Sequence, residues 1–381
     1  MIARAWAARL TAFAAALLAS RLVTPALSGV DAGGWLDGDP KLAHALADEL
    51  IAFERSDDLT ARAPPADRFS GEWALVTHQM TAIGLAQICL AHADEPCALA
   101  HEVTRAALKS FRPEMRSFGT AAWDGEEAMA SLKGPHGHAY LAYPALALGM
   151  ARLVDPDFPR DVARQHDALI QAYERRLLAS NTGLIETYPG EAYPTDVAGV
   201  AAAIAVHGRA THTDHRAVLA HWAALVKEKQ IDPASGFVIQ RMDAETGEAH
   251  DAPRGSGTAF GAFYAAFADP VVARALAEAT LRHESSFWGF GAIDEYGEGH
   301  EGRGDIDSGP VILGVSVTAT GFGLAAARIA GDRAAFVRLF RTASLFGMPA
   351  TSGDRLRFRA GGPIGNALLL AVLTSGAAVA K

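Results

Sequence analysis

The chain has few of the residues from which metal sites and nucleic-acid surfaces are built. Among its 381 residues are only two cysteines, Cys89 and Cys97, and they do not form the closely spaced pair that a zinc site requires. Charged residues make up 20%, no cluster of Lys or Arg stands out, and the formal net charge is −9. Nucleic acid is therefore not an expected partner. Half of the residues are apolar, which is typical of a folded protein with a large core.

The first 28 residues have the features of a targeting segment. Two arginines precede an apolar run over residues 10–20, and Ala26-Leu27-Ser28 offers small residues for cleavage. The run is short for a membrane span but resumes after Arg21, so the segment is either a cleaved signal peptide or an uncleaved anchor. Both alternatives predict a periplasmic or secreted protein, and membrane contact is expected only through this segment if it stays uncleaved. In an oxidising compartment the two cysteines are equally compatible with a disulfide and with buried thiols.

Two kinds of helix alternate along the rest of the chain. Nearly uncharged stretches rich in Ala, Gly, Leu and Val recur about every 60 residues, as expected of helices buried on all sides. They begin near Glu72, His136, Tyr193, Arg254, Asp307 and Pro363. Amphipathic helices follow five of them, as in Arg160 to Leu178, and the segment from Lys41 to Phe53 supplies a sixth. Six inner and six outer helices predict an all-α (α/α)6 barrel that occupies residues 40–381 as one domain.

The connections between these helices differ in length. Links from an inner to an outer helix are short, whereas links from an outer to the next inner helix are long and contain Trp, Tyr, Gly and acidic residues. Long loops in a compact fold are usually functional or disordered. All of the long loops emerge where the inner helices begin, at an end that we call the mouth. The sequence therefore predicts a functional site in the mouth.

The first long loop combines carboxylates with histidines and an aromatic ring. It contains Trp123, Asp124 and Glu127, and it leads to His136 and His138. A histidine that titrates near neutrality can give or take a proton, and a neighbouring carboxylate sets its tautomer. We predict His138 as a catalytic residue and the three loop residues as substrate contacts, with hydrogen bonding within the loop as the structural alternative. No third ligand follows the two histidines at helical spacing, so no metal is expected.

The second loop runs through Glu186 and Tyr188 to Tyr193 and Asp196. Acid–base chemistry needs two carboxylates in different environments, and Glu186 is the preferred proton donor or acceptor. Asp196 is predicted to be the second catalytic group, with a role as a helix cap as its alternative. The two tyrosines are predicted to line the substrate site.

The third and fourth loops add an arginine and further acids. The third is predicted to form a β-hairpin around Phe237 that turns over residues 243–247. It ends at Arg254, which could bind an anionic or polyhydroxy group or pair with a site carboxylate. The fourth loop contains Trp288, Tyr296 and Asp305. Crowded carboxylates have separated pKa values, so Asp305 is a predicted catalytic residue, and Trp288 and Tyr296 are predicted substrate contacts.

The order of these segments resembles the bacterial linalool dehydratase/isomerase family over most of the chain after the targeting segment. The motifs that carry the resemblance are Trp123-Asp124-Gly125-Glu126-Glu127, Gly137-His138, Gly183-Leu184-Ile185, Ile231 to Phe237 and, more weakly, Asp305 to Gly309 and Gly331-Asp332. The resemblance implies a periplasmic (α/α)6 barrel in which His138 matches the active-site histidine. The two active-site cysteines of the family fall on Glu186 and Thr195, so the thiol chemistry of the family is absent here.

The expected function is a cofactor-independent lyase or isomerase in which Glu186 and His138 exchange protons with a small alcohol or alkene. Two alternatives stay open. One is a glycoside hydrolase or epimerase that acts on a bacterial glycan, because paired carboxylates beside aromatic rings are what such hydrolysis requires. The other is a non-catalytic barrel that only binds a ligand. A homo-oligomer is compatible with the resemblance, but the subunit-contact residues of the family have no clear match around Phe53 to Asp58.

Overall fold

The computed structural model describes residues 2–56, 68–91, 95–135 and 137–376. Within them the chain forms an (α/α)6 barrel. The inner helices are α4 (Arg68–Ala91), α7 (Ala142–Val154), α9 (Pro194–Thr211), α11 (Gly255–Ala268), α13 (Val317–Ala330) and α15 (Gly362–Leu373). The outer helices are α3 (Pro40–Arg55), α5 (Ala100–Ser110), α8 (Arg160–Ala179), α10 (Arg216–Leu225), α12 (Pro270–Arg282) and α14 (Arg333–Gly347). The predicted fold class is confirmed.

The inner helices form a closed ring because their faces are small enough to pack closely. Each inner helix contacts the next one in the chain, and α15 returns to contact α4. Glycines allow the close approach: a Cβ on Gly84 would lie 2.7 Å from Leu370, and one on Gly149 would lie 2.9 Å from Val206. The aromatic rings of Phe260 and Phe322, stacked at 4.2 Å, fill part of the ring interior.

The outer helices start with conventional signals. Asp39, Asp269 and Asp332 each accept a backbone N–H at the start of α3, α12 and α14, and proline follows the first two. The predicted outer helix over Arg160 to Leu178 is confirmed as α8.

One inner helix begins later than the sequence indicates. The pattern near Asp307 predicts its start there, whereas α13 begins at Val317, with Ser316 as the capping residue. The reason is local: Oδ1 of Asp305 accepts the N–H groups of Asp307 and Ser308, which closes a turn instead of a helix.

The long loops at the mouth contain short antiparallel strands. The hairpin predicted around Phe237 is present as β1 (Val238–Ile239) and β2 (Pro253–Arg254), in register Val238 to Arg254. The other strands were not predicted: a sheet in the order β3-β4-β6-β5, and a β7-β8 hairpin. Their ranges are β3 Glu284–Phe287, β4 Phe290–Asp294, β5 Val311–Ile312, β6 Val315–Ser316, β7 Pro349–Ser352 and β8 Arg355–Phe358.

Further elements precede the barrel or lie in its loops. α1 (Ile2–Ser28) and α2 (Ala32–Asp37) precede the barrel, and Trp35 of α2 is buried in the core. α6 (Pro113–Ala122) lies in the first mouth loop, a 3-10 turn (Ala139–Leu141) precedes α7, and a π turn (Val226–Gln230) ends α10. Cys89 and Cys97 form a disulfide, which settles the alternatives left open by the sequence. His136 and the last two residues of the segment from Phe53 to Asp58, which was compared with the family's subunit contacts, lie outside the described residues.

Candidate active site in the mouth of the barrel

Asp196 lies at the mouth, in the first turn of α9, and its side chain is buried. Tyr143 on α7 donates a hydrogen bond to Oδ1 of Asp196 at 2.5 Å, and Thr187 donates to Oδ2 at 2.5 Å. The alternative of a simple helix cap is not what the structure has, because Tyr193 is the N-cap residue and no side chain caps α9. A carboxylate with both oxygens accepting hydrogen bonds has the pattern of an ionised group.

Glu72 is a second carboxylate of the same region. It lies in the second turn of α4, and Tyr188 donates a hydrogen bond to its Oε2 at 2.9 Å. Both Glu72 and Asp196 act electrostatically on the hydroxyl groups of Tyr143 and Tyr264. Two carboxylates on different inner helices therefore face the same pair of tyrosines.

These two tyrosines are suited to donate hydrogen bonds. Their rings lie 6.0 Å apart, and both are buried. Burial raises the pKa of Tyr143 and of Tyr264 well above the ordinary value, and the negative charge of Asp196 adds to the effect. Gln79 opposes the shift at Tyr264 because its Nε2 donates to the hydroxyl at 2.9 Å. Both phenols keep their protons at neutral pH.

His138 is buried at the mouth beside these tyrosines and carboxylates. It is 1% exposed, its ring lies 4.4 Å from that of Trp123, and Nε2 is 3.7 Å from Oε1 of Glu126. Burial lowers the pKa of His138, with Arg176 acting in the same direction and Glu126 against it. The imidazole is therefore mostly neutral at pH 7. Its Nδ1 and the hydroxyl of the adjacent Tyr140 are buried without a hydrogen-bond partner in the described part of the chain.

Glu186 has a visible structural task. Its Oε1 accepts the N–H of Gly190 at 2.9 Å, which closes the turn that follows it. The connection to His138 runs through the backbone, since the carbonyl of Glu186 accepts the N–H of Ala139 at 3.0 Å. The catalytic role of Glu186 stays a prediction. Asp196 and Glu72, in contrast, each accept a hydrogen bond from a tyrosine hydroxyl.

Arg254 and Asp305 pair with each other. Nη1 of Arg254 is 2.5 Å from Oδ2 of Asp305, and Nη2 is 2.6 Å from Oδ2 of Asp251. The guanidinium also lies 5.7 Å from the ring of Tyr296. Of the two interpretations of Arg254, the structure has the ion pair, and Asp305 is engaged by it and by its own turn. The pair stabilises the mouth loops.

The remaining predicted contacts are dispersed. Trp123 donates from Nε1 to the carbonyl of Thr187 and stays close to His138. The other four are engaged elsewhere: Asp124 is exposed in a left-handed turn, Glu127 pairs with Arg116 at 2.8 Å, Tyr193 donates to Glu191 at 2.9 Å, and Trp288 lies on the β3–β4 hairpin. Gly289, beside Trp288, packs near Pro25 of α1, and the role of Trp288 as a substrate contact stays a prediction.

Several residues of this region are not predicted from the sequence. The sequence pattern marks Glu72 only as the start of a helix, and Tyr143 and Tyr264 lie in stretches that the pattern assigns to apolar helices. The available signal was a polar hydroxyl recurring in otherwise apolar inner helices. Glu295 was also missed: it is fully buried, burial raises its pKa, and it accepts from Ser256 at the start of α11.

No group of three His, Cys, Asp or Glu side chains among the described residues is placed to hold a metal ion. A cavity of about 620 Å³ opens at the end opposite the mouth, near Phe263, Phe267 and Arg328. Among its lining residues there is neither a carboxylate nor a histidine. The acid–base groups therefore lie in the mouth and not in this cavity.

The chain has little similarity in sequence to known proteins. No family model matches the chain, and no curated protein matches it. Among solved structures, a glycoside hydrolase of family 105 from C. acetobutylicum ATCC 824 is similar at 10% identity and a TM-score of 0.46, over 88% of this chain and 98% of that one. A likeness at this level carries no argument about activity or substrate.

Proposed function

We propose that the protein is an acid–base enzyme that cleaves a carbon–oxygen bond of a hydroxylated substrate in the mouth of the barrel. The observation that carries the proposal is the arrangement of Asp196 and Glu72, each hydrogen-bonded by a tyrosine and both close to Tyr143 and Tyr264. Cleavage of such a bond needs one group that accepts a proton or attacks, and one that protonates the leaving oxygen.

The two carboxylates differ in a way that suits these roles. Both oxygens of Asp196 accept from hydroxyls, which favours its use as the base or nucleophile. Glu72 receives the hydrogen bond of Tyr188 and is less buried, which suits a group that exchanges protons with a substrate. Aromatic rings beside paired carboxylates favour a glycan as the substrate.

A lyase or isomerase of the linalool dehydratase/isomerase type is the second candidate. The specific observation in its favour is a pair of buried atoms, Nδ1 of His138 and the hydroxyl of Tyr140, which have no hydrogen-bond partner among the described residues and whose rings are 6.0 Å apart beside Trp123. Such a pair can bind the hydroxyl of a small, mostly apolar alcohol. Membership of that family is likewise a proposal that rests on the short motifs.

The decisive experiment is a turnover screen of the purified full chain against fragments of bacterial glycans and against small alkenols. Asp196→Asn and Glu72→Gln are the test variants, His138→Ala tests the second candidate, and Asp243→Asn in an exposed turn is the matched control. Glycan turnover lost in the first two variants supports hydrolysis, and alkenol turnover lost in His138→Ala supports the lyase. Activity that survives in all three variants contradicts the catalytic assignment.

We further propose that the protein is exported. The apolar helix near the N-terminus is compatible with a signal sequence or an anchor. The Cys89–Cys97 disulfide supports an oxidising compartment, where such bonds persist. Fractionation of cells that express the full chain, with thiol labelling before and after reduction, tests this. Labelling of both cysteines without reduction in a cytoplasmic fraction contradicts it.

A further inference from the structure

The large exposed apolar side chains of the barrel are distributed unevenly. Among the described residues beyond position 30, all but Val271 belong to the mouth end or its loops. The most exposed are Leu313 at 99%, Phe346 at 71% and Phe287 at 70%. Scattered apolar residues are ordinary on a soluble surface, but a concentration at one end marks an interaction surface.

Helix α1 leaves the barrel at this same end. Its last residues pack on α14: a Cβ on Gly29 would lie 2.8 Å from Nε of Arg341. The chain then descends along α14 to Asp37, which pairs with Arg333 at 2.9 Å, at the end opposite the mouth. Residues that precede Pro25 are therefore on the mouth side of Arg341, and the side chains of residues 9–23 are all exposed.

The exposed part of α1 belongs to a candidate membrane span. The candidate span is Arg9–Asp37, and its end from Gly29 to Asp37 packs on the barrel, so the part that can enter a bilayer is α1 up to Pro25. One helical turn of α14 separates Arg341 from Leu345, and four residues of a helix rise about 6 Å. The end of α14, with exposed Leu345 and Phe346, therefore lies close to the point at which the exposed part of α1 leaves the barrel.

Aromatic and basic residues accompany this exit point. Phe287 and Trp288 stack at 5.0 Å on the β3–β4 hairpin, whose Gly289 packs near Pro25. Aromatic side chains are enriched where a membrane protein meets the headgroup layer. On the next mouth loop the alternation of β8 buries Leu356 and Phe358 and leaves arginines exposed at positions 355, 357 and 359. Exposed arginines suit anionic lipid headgroups.

We propose that the mouth end of the barrel docks on a lipid bilayer, with α1 inserted and the exposed apolar residues around α13 and α14 in the interfacial layer. The occupant of this surface is the membrane from which α1 emerges. The sequence predicts membrane contact through the first 28 residues alone. The docked arrangement adds the exposed apolar residues of the mouth end to this contact. The mouth, and with it Asp196, then opens toward the membrane surface.

The test uses the full chain in vesicles of phosphatidylethanolamine and phosphatidylglycerol. Single cysteines are introduced by Leu313→Cys, Phe346→Cys or Val271→Cys and labelled without reduction, so that the native disulfide stays closed. Each carries an environment-sensitive NBD dye. Val271 is the matched control, because it is 61% exposed and apolar but lies at the start of α12, away from the mouth.

We expect a blue shift of NBD emission and quenching by nitroxide-labelled lipids at positions 313 and 346, and neither effect at position 271. A fourth probe, Leu17→Cys in α1, separates docking from anchoring. Quenching at position 17 with none at 313 and 346 overturns the proposal, since the barrel is then only tethered. Crosslinking between copies through 313 or 346 without lipid quenching also overturns it, in favour of self-association.

Discussion

The hydroxyl of Tyr143 and Oδ1 of Asp196 lie 2.5 Å apart and connect inner helices α7 and α9 beneath the mouth. This hydrogen bond gives Asp196 both a structural and a chemical part, because its other oxygen is held by Thr187 at 2.5 Å. Substitutions at this carboxylate are informative only when stability and turnover are measured on the same variant.

Asp196→Asn is expected to lower kcat by a factor of about 10²–10⁴, the usual contribution of a positioned acid or base. Tyr143→Phe removes one donor and should cost less in kcat. Both losses are measured by steady-state kinetics, with urea unfolding on the same samples. Thr187→Val removes the other hydrogen bond to Asp196, from the loop side, and should also lower kcat, whereas Asp243→Asn is the control. Full activity of a folded Asp196→Asn variant would show that Asp196 is only structural.

Glu72 and Tyr188 are expected to behave as one unit. Glu72→Gln and Tyr188→Phe each disturb the 2.9 Å hydrogen bond, so the double variant should lose less than the sum of the single losses. A double-mutant cycle on kcat/KM is expected to give a coupling energy of about 0.5–3 kcal/mol. Additive losses would mean that the two side chains act independently.

Asp305 is expected to matter for stability and not for turnover. Asp305→Asn leaves the buried guanidinium of Arg254 with only Asp251 as an ionic partner, which should lower the free energy of unfolding by about 1–3 kcal/mol. The matched control is Asp214→Asn, which breaks the exposed pair with Arg216 and should leave the free energy of unfolding nearly unchanged. A large fall in kcat with unchanged stability in Asp305→Asn would restore the catalytic role predicted from the sequence.

His166 is expected to make the fold sensitive to acid. Burial, with His207 and Arg152 adding to it, lowers the pKa of His166 to about 3. The unfolded chain binds this proton near pH 6.5, so the stability contribution is complete above that pH and is lost as the pH falls toward 3. Between pH 7 and 5 the loss is about 2 kcal/mol.

The measurement is urea unfolding at these two pH values for the wild-type chain and for His166→Gln. The difference between the two pH values should shrink in the variant by about 2 kcal/mol. His250→Gln, at an exposed position, should keep the wild-type difference. An unchanged difference in His166→Gln would mean that other groups carry the acid sensitivity.

The ring could be predicted because its determinants are local. Uncharged Ala- and Gly-rich segments must be buried on all sides, and the pairs Asp39-Pro40 and Asp269-Pro270 each start an outer helix. The start of α13 could not be predicted in this way, since Asp305 closes a turn and pairs with Arg254, which is 51 residues away in the chain. That contact exists only after the barrel has formed.

The same limit applies to the candidate site. Asp196 could be singled out from the sequence because it is an acid at the head of an otherwise apolar helix, although the same position also suits a helix cap. Tyr143 and Tyr264 are indistinguishable by pattern from core aromatics, and their proximity to Asp196 and Glu72 becomes visible only when four inner helices bring these residues together. The position of Trp288 could not be predicted, because the path of the β3–β4 hairpin toward α1 depends on contacts with Arg341.

The return of α15 to α4 gives the protein no terminal repeat. In an open solenoid an end repeat can be lost with little effect on the others, because each unit depends only on its neighbours. Here α15 touches both the first and the fifth inner helix, so a nonsense codon shortly before Gly362 would remove the contacts of α15 with α4 and with α13. The stability of the chain is therefore shared around the ring, and translation must pass Leu373 before the ring of inner helices can close.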